Sequence, residues 1–312
     1  MIIDSHYHLF WEGSDPYEWF LGLAKIGVAV FGKETGEYGN PQELLQGLMP
    51  MLSDQTGDRL VEEMEKANID LAILAPLDFW LMYPTTTETH LTIEKKNEIY
   101  TKAVEKYPDK LISLVGVDPR RKDALKLFKK GIEEWGMKGL KLHPTAGFYP
   151  HDPVCYPLYE KAQEYDVPVL VHTGGQPAPG QARYAQPIHI DTVASLFPDV
   201  KIIMAHMAFG SWREAIGLAT MKPNLYLDFS AWQSYWNSNP DYLYYPLRMA
   251  IDMLGPWRVL FGTDGSIMNL ILPPEEWVNA IRNYDSPSGI TFTTNEIEIM
   301  LGKAATKLYK IG

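Results

Sequence analysis

Short, unbroken apolar runs separated by amphipathic stretches recur along this chain, and few folds can accommodate them. The runs lie at residues 1–5, 71–76, 111–117, 139–143, 168–172, 201–206, 224–228 and 259–264. A continuous apolar run of this length is a strand buried on both faces, as in a parallel sheet. Between the runs, residues 58–68, 88–107, 123–135, 154–165, 190–197, 212–220 and 242–254 read as amphipathic helices. The chain closes with helices at 275–283 and 295–309, where Ile297, Met300, Leu301, Ala304 and Leu308 recur at helical spacing. Strand and helix alternate at intervals of roughly 25 to 40 residues, which predicts a (β/α)8 TIM barrel. Its 312 residues suit one such domain spanning residues 1–312. A doubly wound open sheet is the other candidate, but no Gly-x-Gly-x-x-Gly turn follows the first strand.

One connection is out of proportion. Residues 9–53 are too long for an ordinary loop and carry Phe10, Trp11, Tyr17, Trp19, Phe20, Phe31 and Tyr38. They read as an elaborated, aromatic-rich loop with helical turns, covering one end of the barrel after strand 1.

A formal net charge of -11, with no long basic run, argues against nucleic acid or an anionic membrane surface as partner. A small-molecule substrate is the expected ligand. Cys155 is the one cysteine, so no intramolecular disulfide or thiolate cluster can form, and the cytoplasm is the expected compartment. No apolar run approaches the roughly 20 residues of a membrane span, and no basic region precedes the apolar start, so the mature chain is expected to begin at Met1.

Five of the eight histidines fall at strand ends: His6, His8, His143, His172 and His206; His90, His151 and His189 lie elsewhere. Lys141 and Asp264 also stand at strand ends. In a barrel the carboxyl ends of all strands meet on one face, so these distant residues become neighbours. His6 and His8 share a strand face and make half of a metal site, although the pair alone also fits a polar strand end.

The motifs Asp4-Ser5-His6-Tyr7-His8, Gly139-Leu140-Lys141-Leu142-His143-Pro144, Val171-His172-Thr173-Gly174-Gly175, Met204-Ala205-His206-Met207 and Phe261-Gly262-Thr263-Asp264 occur in this order along the whole chain. The set resembles the amidohydrolase superfamily, within it the amidohydrolase-2 branch that includes aminocarboxymuconate-semialdehyde decarboxylase. The resemblance implies that His6, His8, His172 and Asp264 hold one divalent ion, expected to be zinc, with His206 and Asp264 catalytic. Three imidazoles and a carboxylate suit such an ion, with a position left for water or substrate.

Lys141 has three readings: an ammonium that binds a substrate carboxylate or carbonyl, a carboxylated bridge between two ions as in binuclear branches, or a structural ion pair. His143 shares its inward face and is a second substrate-binding candidate, or a satisfied polar residue beside Pro144. Phe79, Trp80, Tyr83, Phe229, Trp232, Tyr235 and Trp236 follow strand ends; they fit a pocket for a planar substrate, the core of a lid, or the interface of a homodimer. Arg120 and Arg121 could grip a carboxylate or lie on a solvated surface.

The leading expectation is a metal-dependent hydrolase. A bound ion lowers the pKa of water from about 16 towards roughly 7, with Asp264 accepting the proton and His206 stabilising the oxyanion. Nonoxidative decarboxylation of an aromatic or unsaturated acid is the alternative with nearly the same ligands. A noncatalytic binding barrel is the third reading, and it predicts decay of a set that is intact here.

Overall fold

The computed structural model describes residues 1–83 and 91–312; His90 and the beginning of the expected helix at 88–107 lie outside the described residues. The strands are β1 (Ile3–Tyr7), β2 (Leu71–Leu74), β3 (Leu111–Ser113), β4 (Val115–Gly116), β5 (Leu140–Leu142), β6 (Val169–Val171), β7 (Ile202–Met204), β8 (Leu225–Asp228) and β9 (Val259–Leu260). All pairings are parallel, and the ladders run β1-β2-β3 and β4 through β9 in chain order.

β3 and β4 are halves of one barrel strand. Between them Leu114 N donates to Leu74 O at 2.8 Å, while Lys138 N donates to Ser113 O at 2.8 Å and Val115 N to Gly139 O at 2.9 Å. The seam between last and first strands closes through Ser5 N to Phe261 O at 2.9 Å, Asp264 N to His6 O at 2.9 Å and His8 N to Gly265 O at 2.8 Å. The result is the expected closed eight-stranded α/β barrel, with the break at Leu114 not visible in an unbroken apolar run.

Inside it, Ile3, Ile73, Leu114, Leu170, Ile203 and Leu260 form a buried cluster that Ile299, Ala304, Leu308 and Tyr309 join from the chain's end. Side chains two residues on from Leu170 share its face, so His172 projects inward above this apolar layer. The layer plugs the barrel, and the polar residues are left at its mouth.

Helices α3 (Asp58–Ala67), α4 (Ile93–Lys106), α5 (Ala124–Glu133), α6 (Tyr156–Tyr165), α7 (Ile188–Leu196), α8 (Trp212–Met221), α10 (Asp241–Leu254) and α11 (Pro274–Arg282) lie close to their expected positions. Their ends are set by local chemistry: Asp54 accepts from Gly57 N at 2.8 Å and Leu60 N at 2.9 Å, satisfying donors at the start of α3. A short α9 (Gln233–Ser238) lies among the aromatics after β8. The final helix is interrupted: α12 (Thr294–Glu298) and α13 (Ala304–Tyr309) flank a π-turn at Ile299–Lys303.

The segment after β1 is more regular than expected. α1 (Tyr17–Phe31) and α2 (Pro41–Leu52) pack together as a helical pair. Trp19 donates from Nε1 to Gln176 Oε1 at 3.2 Å, tying α1 to the loop after β6. Phe10, Trp11, Trp19 and Phe20 are buried, whereas Tyr17, Phe31 and Tyr38 are exposed. Among the described residues, no helix is long and apolar enough to cross a membrane.

Candidate active site

β1 delivers His6 and His8, and the turn after β9 delivers Asp264. One ligand atom from each lies within 4.8 Å of the others. His8 Nε2 is 3.2 Å and His6 Nε2 3.6 Å from Asp264 Oδ1. The other ring nitrogens are committed: His6 Nδ1 lies 3.1 Å from Asp228 Oδ2, and His8 Nδ1 faces the carbonyl of Ala75. Both outer acceptors take a proton, so the network assigns N–H to each Nδ1 and leaves both Nε2 lone pairs converging on the Asp264 carboxylate. Facing lone pairs of this kind need positive charge among them; the Lys141 ammonium, 2.8 Å from His6 Nε2, supplies it here, and the donor set itself, two imidazole nitrogens and a carboxylate, fits a divalent ion in that place.

Electrostatics favours the ligand forms. Burial, followed by the Lys141 ammonium, pushes His6 down to about 3, and burial lowers His8, so both imidazoles are neutral at pH 7. Burial raises the Asp264 carboxyl, but in the acid range where it would titrate the protonated rings of His206, His8 and His6 outweigh burial and hold it below the usual carboxylate range. Lys141, fully buried, is lowered to about 8 by desolvation against the pull of Asp264 and Asp228. Its Nζ stands 2.8 Å from His6 Nε2, inside the ligand cluster.

His172 and His206 form an adjoining pair. His206 Nε2 is 3.1 Å from His172 Nδ1, and His172 Nε2 is buried with no hydrogen-bond partner among the described residues. His172 is not among the atoms gathered within 4.8 Å around Asp264, so the expected ligand set is brought together only for His6, His8 and Asp264. His143 stacks on His172 with centroids 3.9 Å apart and touches Thr145 Oγ1 at 2.8 Å. Burial holds His143, His172 and His206 below the usual histidine range.

His206 sits on an unusual backbone. It, Met207, Ala208 and Phe209 all have positive φ, between 44° and 59°, a left-handed run that non-glycine residues seldom adopt. The run is pinned where Trp232 Nε1 donates to His206 O at 2.7 Å and His206 N donates to Asp228 Oδ1 at 3.0 Å. It turns Phe209 back to stack on the His206 ring, 4.9 Å between centroids.

Two residues at the heart of this geometry were not singled out as site residues from the sequence. Asp228, fully buried at the end of β8, accepts from His6, and Ser230 bridges it to His206. The available signal was an aspartate at a strand end. Arg120 and Arg121 are engaged elsewhere: Arg120 pairs with Asp118 and holds Ala146 O at 2.9 Å, and Arg121 grips Asp78 with contacts of 2.6 and 2.8 Å.

Rings wall the cluster. Phe79 meets His143 edge-on at 4.6 Å, backed by Trp19 at 5.1 Å, while Phe209 covers His206. Phe209, Trp212, Trp232, Tyr235, Tyr242 and Tyr245 line a neighbouring cavity of about 720 Å³. Phe229 instead packs in the core against Phe261 and Trp277.

With this geometry in hand, comparison with known proteins is informative. A family model described as Amidohydrolase matches residues 3–311. A curated relative, 2-keto-4-carboxy-3-hexenedioate hydratase of Sphingobium sp. (strain NBRC 103272 / SYK-6), is 26% identical over 181 residues, 52% of this chain. The matched region spans only half (50%) of that relative's length. An uncharacterised TIM-barrel protein from Bordetella bronchiseptica superposes with a TM-score of 0.70 at 21% identity, covering 99% of this chain and 98% of its own. A 5-carboxyvanillate decarboxylase from Novosphingobium aromaticivorans, solved with manganese and 4-hydroxy-3-methoxy-5-nitrobenzoic acid, superposes at 0.69 with 15% identity, covering 100% and 96%. These likenesses support the barrel fold; the two relatives with a named activity are a hydratase and a decarboxylase.

Proposed function

Because this chain belongs to the amidohydrolase family, we propose that it is a metal-dependent lyase that removes a carboxyl group, as carbon dioxide, from a small aromatic or unsaturated acid. The observation that carries this reading is the cluster itself: the two imidazoles of His6 and His8 and the Asp264 carboxylate converge on one another, with His143 and His206 close by and packed against the rings of Phe79 and Phe209. The decarboxylase among the structural neighbours supports it, and hydrolysis, the first expectation from sequence, loses ground because the named relatives are lyases.

In this reading His6, His8 and Asp264 hold the ion. Manganese, which the neighbouring decarboxylase binds, fits this nitrogen and oxygen set as well as zinc does. When bound, the ion supplies Lewis-acid charge stabilisation and orients the substrate's oxygens. Lys141 adds a buried positive charge beside His6 for an anionic substrate. The bond from the carboxyl carbon to the ring or vinyl carbon breaks, and its electron pair stays on the latter. One proton from solvent, relayed by the His172–His206 pair whose nitrogens lie 3.1 Å apart, then reaches that carbon and leaves the pair neutral again. Phe79 and Phe209 exclude water from the developing carbanion.

Hydration of a carbon–carbon double bond is the second reading, favoured by the curated hydratase relative. Manganese-loaded protein incubated with hydroxybenzoates, 5-carboxyvanillate and unsaturated tricarboxylates separates the two. Decarboxylation releases one carbon dioxide per acid consumed and, in D2O, leaves one deuterium on the product carbon. Loss of the double bond with uptake of water and no carbon dioxide would establish hydration instead.

A further inference from the structure

Ser230 and Asp228 lie behind the imidazoles, away from the converging lone pairs, and join two of them. Ser230 Oγ donates to Asp228 Oδ1 at 2.5 Å. The same oxygen lies 2.8 Å from His206 Nδ1, which the Ser230 carbonyl also faces at a longer 3.3 Å, and 3.1 Å from His6 Nδ1, and Asp228 Oδ2 is also 3.1 Å from His6 Nδ1. With its only proton given to Asp228, Ser230 Oγ must accept from both rings. Asp228 in turn accepts backbone N–H groups from His206 and Ser230, each at 3.0 Å. A carboxylate with this many donors is fixed in place. Asp228 and Ser230 are fully buried, so water does not substitute for either.

We propose that Ser230 and Asp228 act as one positioning unit that sets the tautomer and direction of His6 and His206 together, so that ion binding at His6 and proton delivery by His206 share one serine hydroxyl. An ion ligand's outer N–H partner fixes its ring, and loss of such a partner weakens metal binding by about 10–100-fold. Here one partner serves two rings with different duties. Gly262 passes closely between the two: a Cβ there would lie 3.0 Å from the Cβ atoms of both His6 and Ser230, so a larger residue requires one of them to give by a few tenths of an ångström.

The unit concerns ring orientation and ion retention, so it can be tested whether or not the bond broken is to carbon dioxide. Titration with Mn2+ alone, followed by electron paramagnetic resonance, gives affinity for wild type, Ser230→Ala, Ser230→Thr, Asp228→Asn and Ser230→Ala/Asp228→Asn. Long-range 1H–15N spectra of the histidines give the tautomers. We expect Asp228→Asn to weaken Mn2+ binding by about 10–100-fold. Ser230→Ala should weaken it several-fold and convert His206 from a single Nδ1–H tautomer to a mixture. Ser230→Thr, which keeps the hydroxyl and reports on folding, should restore both, and the double variant should bind Mn2+ no more weakly than Asp228→Asn alone. Wild-type Mn2+ affinity and an unchanged His206 tautomer in Ser230→Ala would overturn the proposal. So would multiplicative losses in the double variant.

Discussion

Asp264 and Asp228 are both buried among histidines, yet they face opposite sides of the same rings. Asp264 meets the Nε2 atoms, where no proton intervenes, and Asp228 meets Nδ1 of His6, where one does. In the proposed ion site the first is therefore the ligand and the second the orienting group. Removal of an outer partner costs about 10–100-fold in affinity, so Asp264→Asn, which weakens a ligand itself, is predicted to lose at least that much Mn2+ affinity by calorimetric titration. Gly174 makes a second prediction. Its φ is +120°, and a Cβ there would lie 2.5 Å from Phe209 Cδ2. Gly174→Ala should destabilise the protein by about 1–3 kcal/mol in urea unfolding and push Phe209 off His206. At this scale the meeting of His6, His8 and Asp264 could be read from sequence because strand ends in a barrel converge, whereas His172, expected beside them from the family resemblance, stands apart with His206. Ser230 could not, since a serine two residues past a strand end carries no signal of what it bridges. Arg120 and Arg121 looked available because their partners, Asp118 and Asp78, acquire that role only in the folded barrel.

The elements differ in how openly they declare themselves. Buried strands are plain as apolar runs, but the break at Leu114 and the π-turn at Ile299–Lys303 leave apolar periodicity almost intact and so escape notice. α1 and α2 were underestimated because glycines and aromatics obscure a helical period that their mutual packing restores. Trp19 is the contact that joins α1 to the site, against Phe10, Phe20 and Phe79. Trp19→Ala is predicted to destabilise the fold by about 3–5 kcal/mol, measured by urea unfolding. Arg248 joins α10 to α12 through Glu296, with contacts of 2.7 and 3.1 Å. That guanidinium holds the Glu296 carboxyl down at about 2, from 4.5. The stabilisation is fully present above pH 4.5 and fades as pH falls towards 2. Screened by solvent, it is on the order of 1 kcal/mol. Urea midpoints of wild type and Glu296→Gln should therefore differ at pH 7 and converge near pH 2.

Across the whole molecule, the proposed ion site straddles the barrel's closing seam: His6 and His8 come from the end of the first strand and Asp264 from just beyond the last. A cation held there clamps the two ends of the barrel together. Mn2+ at one hundred times its dissociation constant should stabilise the fold by about 2.7 kcal/mol, seen as a rise in melting temperature that chelation reverses. The architecture was legible because eight apolar runs separated by amphipathic helices leave little choice. The reaction was not, because an imidazole and carboxylate set serves hydrolysis, hydration and decarboxylation alike, and the rings that define the slot come from α1, β2 and β7 connections whose convergence only the fold reveals. Elemental analysis of protein purified without chelator, wild type beside His8→Ala, tests the central claim most directly. One equivalent of a divalent ion in the wild type and its loss in the variant is the predicted result. No ion in either would contradict the account, and two equivalents would require Lys141 to bridge a pair of ions in place of its role as a free ammonium.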